Sequence, residues 1–179
     1  MLISISGPAG SGKTTLARLL SQRLDLPLIS TGQIFRKMAA ERGMDVLQFN
    51  LLAEGEESID RELDARVVEE ARSLGQCIVE SRLACLMLRK AGLTPFCVYV
   101  DAPEEIRAAR IAGRDGVDKS SSLTMMRERA GSESRRYSSI YGMDPGDRSA
   151  YDLLLDSAER PPEELLSMLL DEMGKRGLA

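Results

Sequence analysis

Short, almost wholly apolar runs alternate along this chain with longer stretches whose apolar residues recur every three or four positions. The first kind predicts buried strands over Leu2–Ser6, Leu26–Ser30, Gln76–Glu80, Pro95–Val100 and Tyr151–Asp156. The second kind predicts helices. Leu16, Leu19, Leu20 and Leu24 form one stripe over Lys13–Leu24. Thr31–Arg42, Asp45–Glu54 and Ser58–Leu74 follow, ended by Gly43, Gly55 and Gly75. Leu83–Ala91 stops at Gly92, and Pro103 opens a helix that ends near Gly113, with Glu104 and Glu105 where the helix dipole favours acids. Arg114–Leu123 is polar and has no stripe, so it reads as a loop; Thr124–Tyr141 reads as a weakly amphipathic helix. Pro161 and Pro162 open the last helix, whose apolar residues are Leu165, Leu166, Leu169, Leu170 and Met173.

Strands separated by helices predict an α/β fold of three layers, a mainly parallel five-stranded sheet with helices on both faces. Ligands of such sheets bind at the carboxyl ends of the strands. The 179 residues suit a single domain, 1–179, with two insert-like segments at about 37–66 and 114–139.

Composition narrows the chemistry. No apolar run approaches the roughly 18 residues of a spanning helix, and no basic leader precedes the first strand, so a cytoplasmic chain without a membrane partner is expected. The three cysteines, Cys77, Cys85 and Cys97, form no Cys-x-x-Cys pair and read as buried thiols in a reducing compartment. The absence of histidine excludes Ser-His-Asp and Cys-His nucleophiles and the usual zinc hydrolase motifs. A net charge of −4 argues against a general nucleic-acid binder. Within it, Arg107–Arg136 carries seven arginines and one lysine against four acids, which suggests a local anionic ligand. Arginine outnumbers lysine 19 to 5, and its planar fork suits two-point contacts to phosphate.

Between the first strand and the first helix stands GPAGSGKTT, Gly7 to Thr15. Gly7, Gly12, Lys13 and Thr14 fit G-x-x-x-x-G-K-[ST] in the strand–loop–helix setting that the motif requires. Its glycines let the backbone N–H groups of Gly7, Ala9, Gly10, Ser11 and Gly12 turn around phosphate oxygens, with Pro8 holding the turn between them, and the helix start adds its dipole. Lys13 would reach the β- and γ-phosphates, and the Thr14 hydroxyl would bind Mg²⁺. The loop therefore predicts a nucleoside triphosphate site and leaves the acceptor open.

Four further stretches, with this loop, resemble the nucleoside monophosphate kinases, most closely the short cytidylate kinases of archaeal type, over nearly the whole chain. In STGQIFR, Ser30 to Arg36, the resemblance implies that Thr31 and Gly32 shape the acceptor site and Arg36 grips the acceptor phosphate. In VESRLA, Val79 to Ala84, it implies that Glu80 orients a water on Mg²⁺ and Arg82 binds the acceptor phosphate; a plain helix cap would also explain Glu80. In RIAGR it implies that Arg110 flanks the donor base and Arg114 touches its phosphates at the opening of a lid. In RAGSESRR it implies that Arg129 and Arg136, with Glu133 between them, complete the arginine ring. Seven residues is about two helical turns, so all three can share one face, as a salt-bridged surface helix also would.

The resemblance thus implies transfer of the ATP γ-phosphate to CMP or dCMP with Mg²⁺, by a monomer. Asp60, Arg61, Asp64 and Glu133 are the candidates for reading the cytosine edge. An adenylate-kinase-like enzyme, another small-acceptor kinase, or an ATPase switch or assembly factor are the competing readings. The Arg36–Arg82 pair argues against a switch, which has no second anion to bind.

Overall fold

The computed structural model describes residues 1–142 and 147–178, with Leu47 and Tyr141 placed by their backbone alone. The elements run β1 (Leu2–Ser6), α1 (Lys13–Leu24), β2 (Leu28–Ser30), α2 (Thr31–Glu41), α3 (Val46–Gly55), α4 (Glu57–Leu74) and β3 (Cys77–Glu80). They continue with α5 (Ala84–Lys90), β4 (Phe96–Asp101), α6 (Glu104–Asp115), α7 (Lys119–Tyr141), β5 (Leu153–Asp156) and α8 (Pro162–Lys175). The sheet order is β2-β3-β1-β4-β5, and every pairing is parallel. All five predicted strands are present, trimmed by one or two residues where Pro27 and Pro95 cannot donate to the ladder.

Alternation along each strand feeds two cores. Ile3, Ile5, Ile78, Val98 and Val100 meet Leu16, Leu20, Leu165 and Leu169 of α1 and α8 on one face. Ile29, Cys77 and Val79 meet Val67, Ala71, Met87 and Leu88 of α4 and α5 on the other. A third cluster, Met38, Phe49, Ile59 and Leu63, is built by α2, α3 and α4 away from the sheet. This satellite core holds these three helices together. α3 begins with a capping box in which the Asp45 carboxylate accepts from the Gln48 N–H and the Gln48 side chain returns a bond to Asp45.

Two sequence expectations need correction. Arg114–Leu123 is not a loop: α6 runs through Asp115 and α7 starts at Lys119. Gly116 ends the first helix in the left-handed region, at φ 69°, and the Asp118 carboxylate caps the second by accepting from Ser121 N–H at 2.9 Å. α7 then folds back along α6: Ser122 Oγ donates to Ala108 O at 2.9 Å, and Arg127 forks onto Glu104 at 3.1 and 2.8 Å. The second correction concerns the cysteines. The sheet brings Cys97 of β4 to Cys85 of α5 with a Cα separation of 5.4 Å, and the two form a disulfide. Cys77 stays a free, buried thiol, its pKa raised by burial. Among the described residues no helix is long and apolar enough to cross a membrane.

Candidate active site

The carboxyl ends of β1 and β3 deliver the first half of the site. Gly7 leaves β1 at φ 151°, and a Cβ there would sit 2.2 Å from the Val100 carbonyl oxygen. Gly10, at φ 77°, passes the backbone of Arg107 so closely that a Cβ would meet its carbonyl oxygen at 2.6 Å. Only glycine lets the loop lie this low on the sheet. Lys13 opens α1 and turns its ammonium back into the loop, where Nζ donates to Pro8 O at 3.2 Å and lies 3.7 Å from Glu80 Oε1. Burial first, then the positive charge of Arg82, lowers the Lys13 pKa to about 8, against the pull of Glu80.

Glu80 ends β3, only 5% exposed. Its Oε1 accepts from Thr14 Oγ1 at 3.0 Å and its Oε2 from Ser30 Oγ at 2.9 Å. The hydroxyl and the carboxylate are hard oxygen donors, side by side at the loop's exit, and this set fits Mg²⁺ held through one or two protein oxygens and water. No cluster of three or more His, Cys, Asp or Glu able to hold an ion occurs among the described residues. Ser11 is buried at the loop's centre, while Thr15 is exposed on α1.

A cleft of about 800 Å³ opens beside the loop. Gly7, Pro8 and Ala9 form part of its wall, facing Arg82, Arg129 and Glu133. Glu133, 8% exposed, bridges the two arginines: Arg129 Nε donates to Oε1 at 2.9 Å and Arg82 Nε lies 3.2 Å from Oε2. Arg136 does not join this bridge. Its Nε lies 3.4 Å from Asp60 Oδ2, beside a small, mostly apolar cavity of about 30 Å³ that Thr31, Asp60, Asp64, Ser81, Leu83 and Tyr137 help to line. Thr31 Oγ1, Asp60 Oδ2 and Arg136 Nε and Nη1 are buried there without a hydrogen bond. Burial raises the Asp60 pKa against the opposing charge of Arg136, and burial also lifts the Tyr137 phenol above its ordinary range. Leu83 and Tyr137 line both cavities, so the small one lies against the large one.

The chain matches the cytidylate kinase-like family over residues 2–159. It belongs to that family. It is 40% identical to the cytidylate kinase of Methanocaldococcus jannaschii over 98% of this chain and 100% of that one. It is 42% identical to the cytidylate kinase of Haloarcula marismortui over 95% and 88% of the two chains. The fold is also that of shikimate kinase from Aquifex aeolicus, at a TM-score of 0.61 and 22% identity over 99% of each chain.

Within this cytidylate kinase-like chain, the other sequence candidates are placed unevenly. Arg36 is exposed on α2, its Nη1 close to Gly32, and it faces no carboxylate among the described residues. Arg61 lines neither cavity; it is 63% exposed and paired with Glu57 one turn back on α4. Arg114 lies at the cleft's edge, 70% exposed and forked onto its neighbour Asp115. Arg110 is fixed to the Gly10 carbonyl and to Ser157. Sequence reasoning missed Ser157, Arg107 and Tyr137. Arg107 donates from Nη1 to Ala9 O at 3.4 Å and from Nε to Ala102 O at 2.9 Å, bracing the loop from α6. Ser157 carried one usable signal, since it directly follows the last strand at the sheet's ligand-binding end.

Proposed function

We infer that this chain is a cytidylate kinase that moves the γ-phosphate of ATP onto CMP, and onto dCMP, giving the diphosphate and ADP. The observation that carries the reading is that the Lys13 loop and the Arg82–Glu133–Arg129 bridge face the same cleft. The family and the names of its relatives support the choice of acceptor.

Two phosphates approaching each other repel strongly unless fixed cations stand between them, and charge gathers on the moving group in transit. Lys13 would hold the β- and γ-oxygens while the loop N–H groups cradle the rest. Arg82 and Arg36 would hold the acceptor phosphate, with Thr31 and Gly32 shaping its approach. Arg129, Arg114 and Arg136 would close the ring as the 114–139 segment and the 37–66 insert come together, and Arg110 would flank the donor base. Bound at Thr14 and, through water, at Glu80, Mg²⁺ would neutralise charge on the donor phosphates. Every cation placed beforehand in a site that excludes water is worth more than the same charge in solution. No strong general base is needed, because the acceptor is already an anionic phosphate.

The small cavity supports a cytosine edge. Its volume suits an amino group rather than a ring. The Asp60 carboxylate would accept from that amino group and Arg136 would donate to the ring acceptors. The reading needs one copy of the chain and no nucleic acid.

A coupled ADP-release assay over CMP, dCMP, UMP, AMP and shikimate tests this. CMP and dCMP should stimulate turnover most; stimulation by none of the five sinks the kinase reading, and a stronger response to AMP or shikimate replaces the acceptor.

A further inference from the structure

Ser157 follows β5 at the sheet's carboxyl end and is 2% exposed. Its hydroxyl donates to the Ser11 carbonyl of the phosphate-binding loop at 2.7 Å. A carbonyl can only accept, so the hydroxyl proton is committed there and the oxygen's lone pairs face the other way. Arg110 Nη1 meets them at 2.9 Å, and Arg110 Nη2 donates to the Ser157 carbonyl at 2.6 Å. Arg110 Nη1 also reaches Gly10 O at 3.3 Å. The Ser157 N–H is itself held by the Asp101 carbonyl of β4 at 2.9 Å.

The three acceptors around Arg110 are all neutral. Arg82 and Arg129 face Glu133, Arg136 faces Asp60, and Arg114 faces Asp115. Arg110 has no carboxylate within ion-pair distance among the described residues. It is therefore fixed in place with its charge uncompensated, beside a loop built for anions. Carboxylate anchoring would fix the side chain equally well but cancel the field.

We propose that Ser157 is a positioning residue for the donor nucleotide, acting through Arg110 and the Ser11 carbonyl to present an uncompensated guanidinium at the phosphate-binding loop. This rests on the kinase reading above for the identity of the donor. It predicts a one-sided defect: Ser157 touches nothing on the acceptor side, so its loss loosens the donor and spares the acceptor.

Steady-state kinetics on S157A, S157T and the S157A/R110A pair test it, beside equilibrium binding of a non-hydrolysable ATP analogue. S157A should raise the KM for ATP and the analogue's Kd about tenfold, the usual scale for losing a hydrogen bond to a charged group. The KM for CMP should move less than about twofold, within the usual scatter of independent sites. S157T, which keeps the hydroxyl, should recover most of the loss. In the double variant the two effects should fall short of their product. An unchanged KM for ATP, an equal rise for both substrates that tracks a fall in melting temperature, or full multiplication with R110A overturns the inference. Wild-type chain that binds the analogue but shows no acceptor-stimulated turnover sinks the kinase reading instead, and the binding arm then decides for or against Ser157 alone.

Discussion

Lys13 shows how far a single side chain can be read. The motif located it and gave it a charge to deliver; burial, which no spacing records, brought its pKa down to about 8 from an ordinary 10.5. The folded value lies below the unfolded one, so between pH 8 and 10.5 the unfolded chain holds more protons. This group's contribution to stability therefore rises across that window and is least favourable below it. For the ligand the sign is opposite. A triphosphate needs the ammonium, so ATP binding should weaken as pH rises through 8, with proton uptake that calorimetry in two buffers of different ionisation enthalpy would detect; pH-independent binding from 7 to 9 would contradict the placement. Lys13→Ala should cut kcat by about 10²- to 10³-fold, the scale of losing one preorganised charge donor, with every acceptor tested. Glu133 was also legible, but its partner was not. Its spacing offered Arg129 and Arg136 equally; tertiary packing supplied Arg82 from β3's end in place of Arg136.

Among elements, the strands and most helices were legible because apolar runs and glycine stops agree with the final packing. The α6–α7 turn was not. The polar 114–123 stretch has no stripe, since its helical parts are held by Ser122 and Arg127 rather than by a broad apolar face. The information lay in two residues, Gly116 as a left-handed terminator and Asp118 as a cap. Asp118→Ala should cost about 1 kcal/mol in urea unfolding, the typical value of an N-cap. Amide exchange at 119–123 should quicken in the same variant. A slow, unchanged exchange there would mean that packing on α6 alone holds the turn. The disulfide lay beyond reach for a related reason, since nothing in a separation of 12 residues says that β4 and α5 abut. Reduction by a dithiol should lower stability by about 2–4 kcal/mol, with the urea midpoint as the readout and Cys85→Ser as the control.

For the molecule as a whole, the cleft is bounded by α2 and α3 on one side and the α6–α7 pair on the other. The two sides are already tied: Ser132 Oγ of α7 donates to Glu54 Oε1 of α3 at 3.0 Å, and Arg136 of α7 lies 3.4 Å from Asp60 of α4. Val46 and Leu51 on one side and Val117 and Met125 on the other line the cleft yet remain exposed, at 46%, 60%, 39% and 61%. Apolar lips left in water are a standing reason to shut once charges inside are neutralised. A fluorophore pair at positions 51 and 125 should shorten its distance when a bisubstrate analogue is added, and less with either nucleotide alone. No change with the analogue would rule out closure along this line.

The bridge of Arg82 and Arg129 across Glu133 has a consequence of its own. On the proposed reading, an incoming phosphate would have to displace a carboxylate already seated on the same arginines, so that Glu133 would act as a built-in competitor. A bare inorganic anion brings no base or sugar to offset that eviction. Phosphate or sulfate buffers should therefore be poor inhibitors beside CMP, and Glu133→Gln should make the vacant site far more receptive to them.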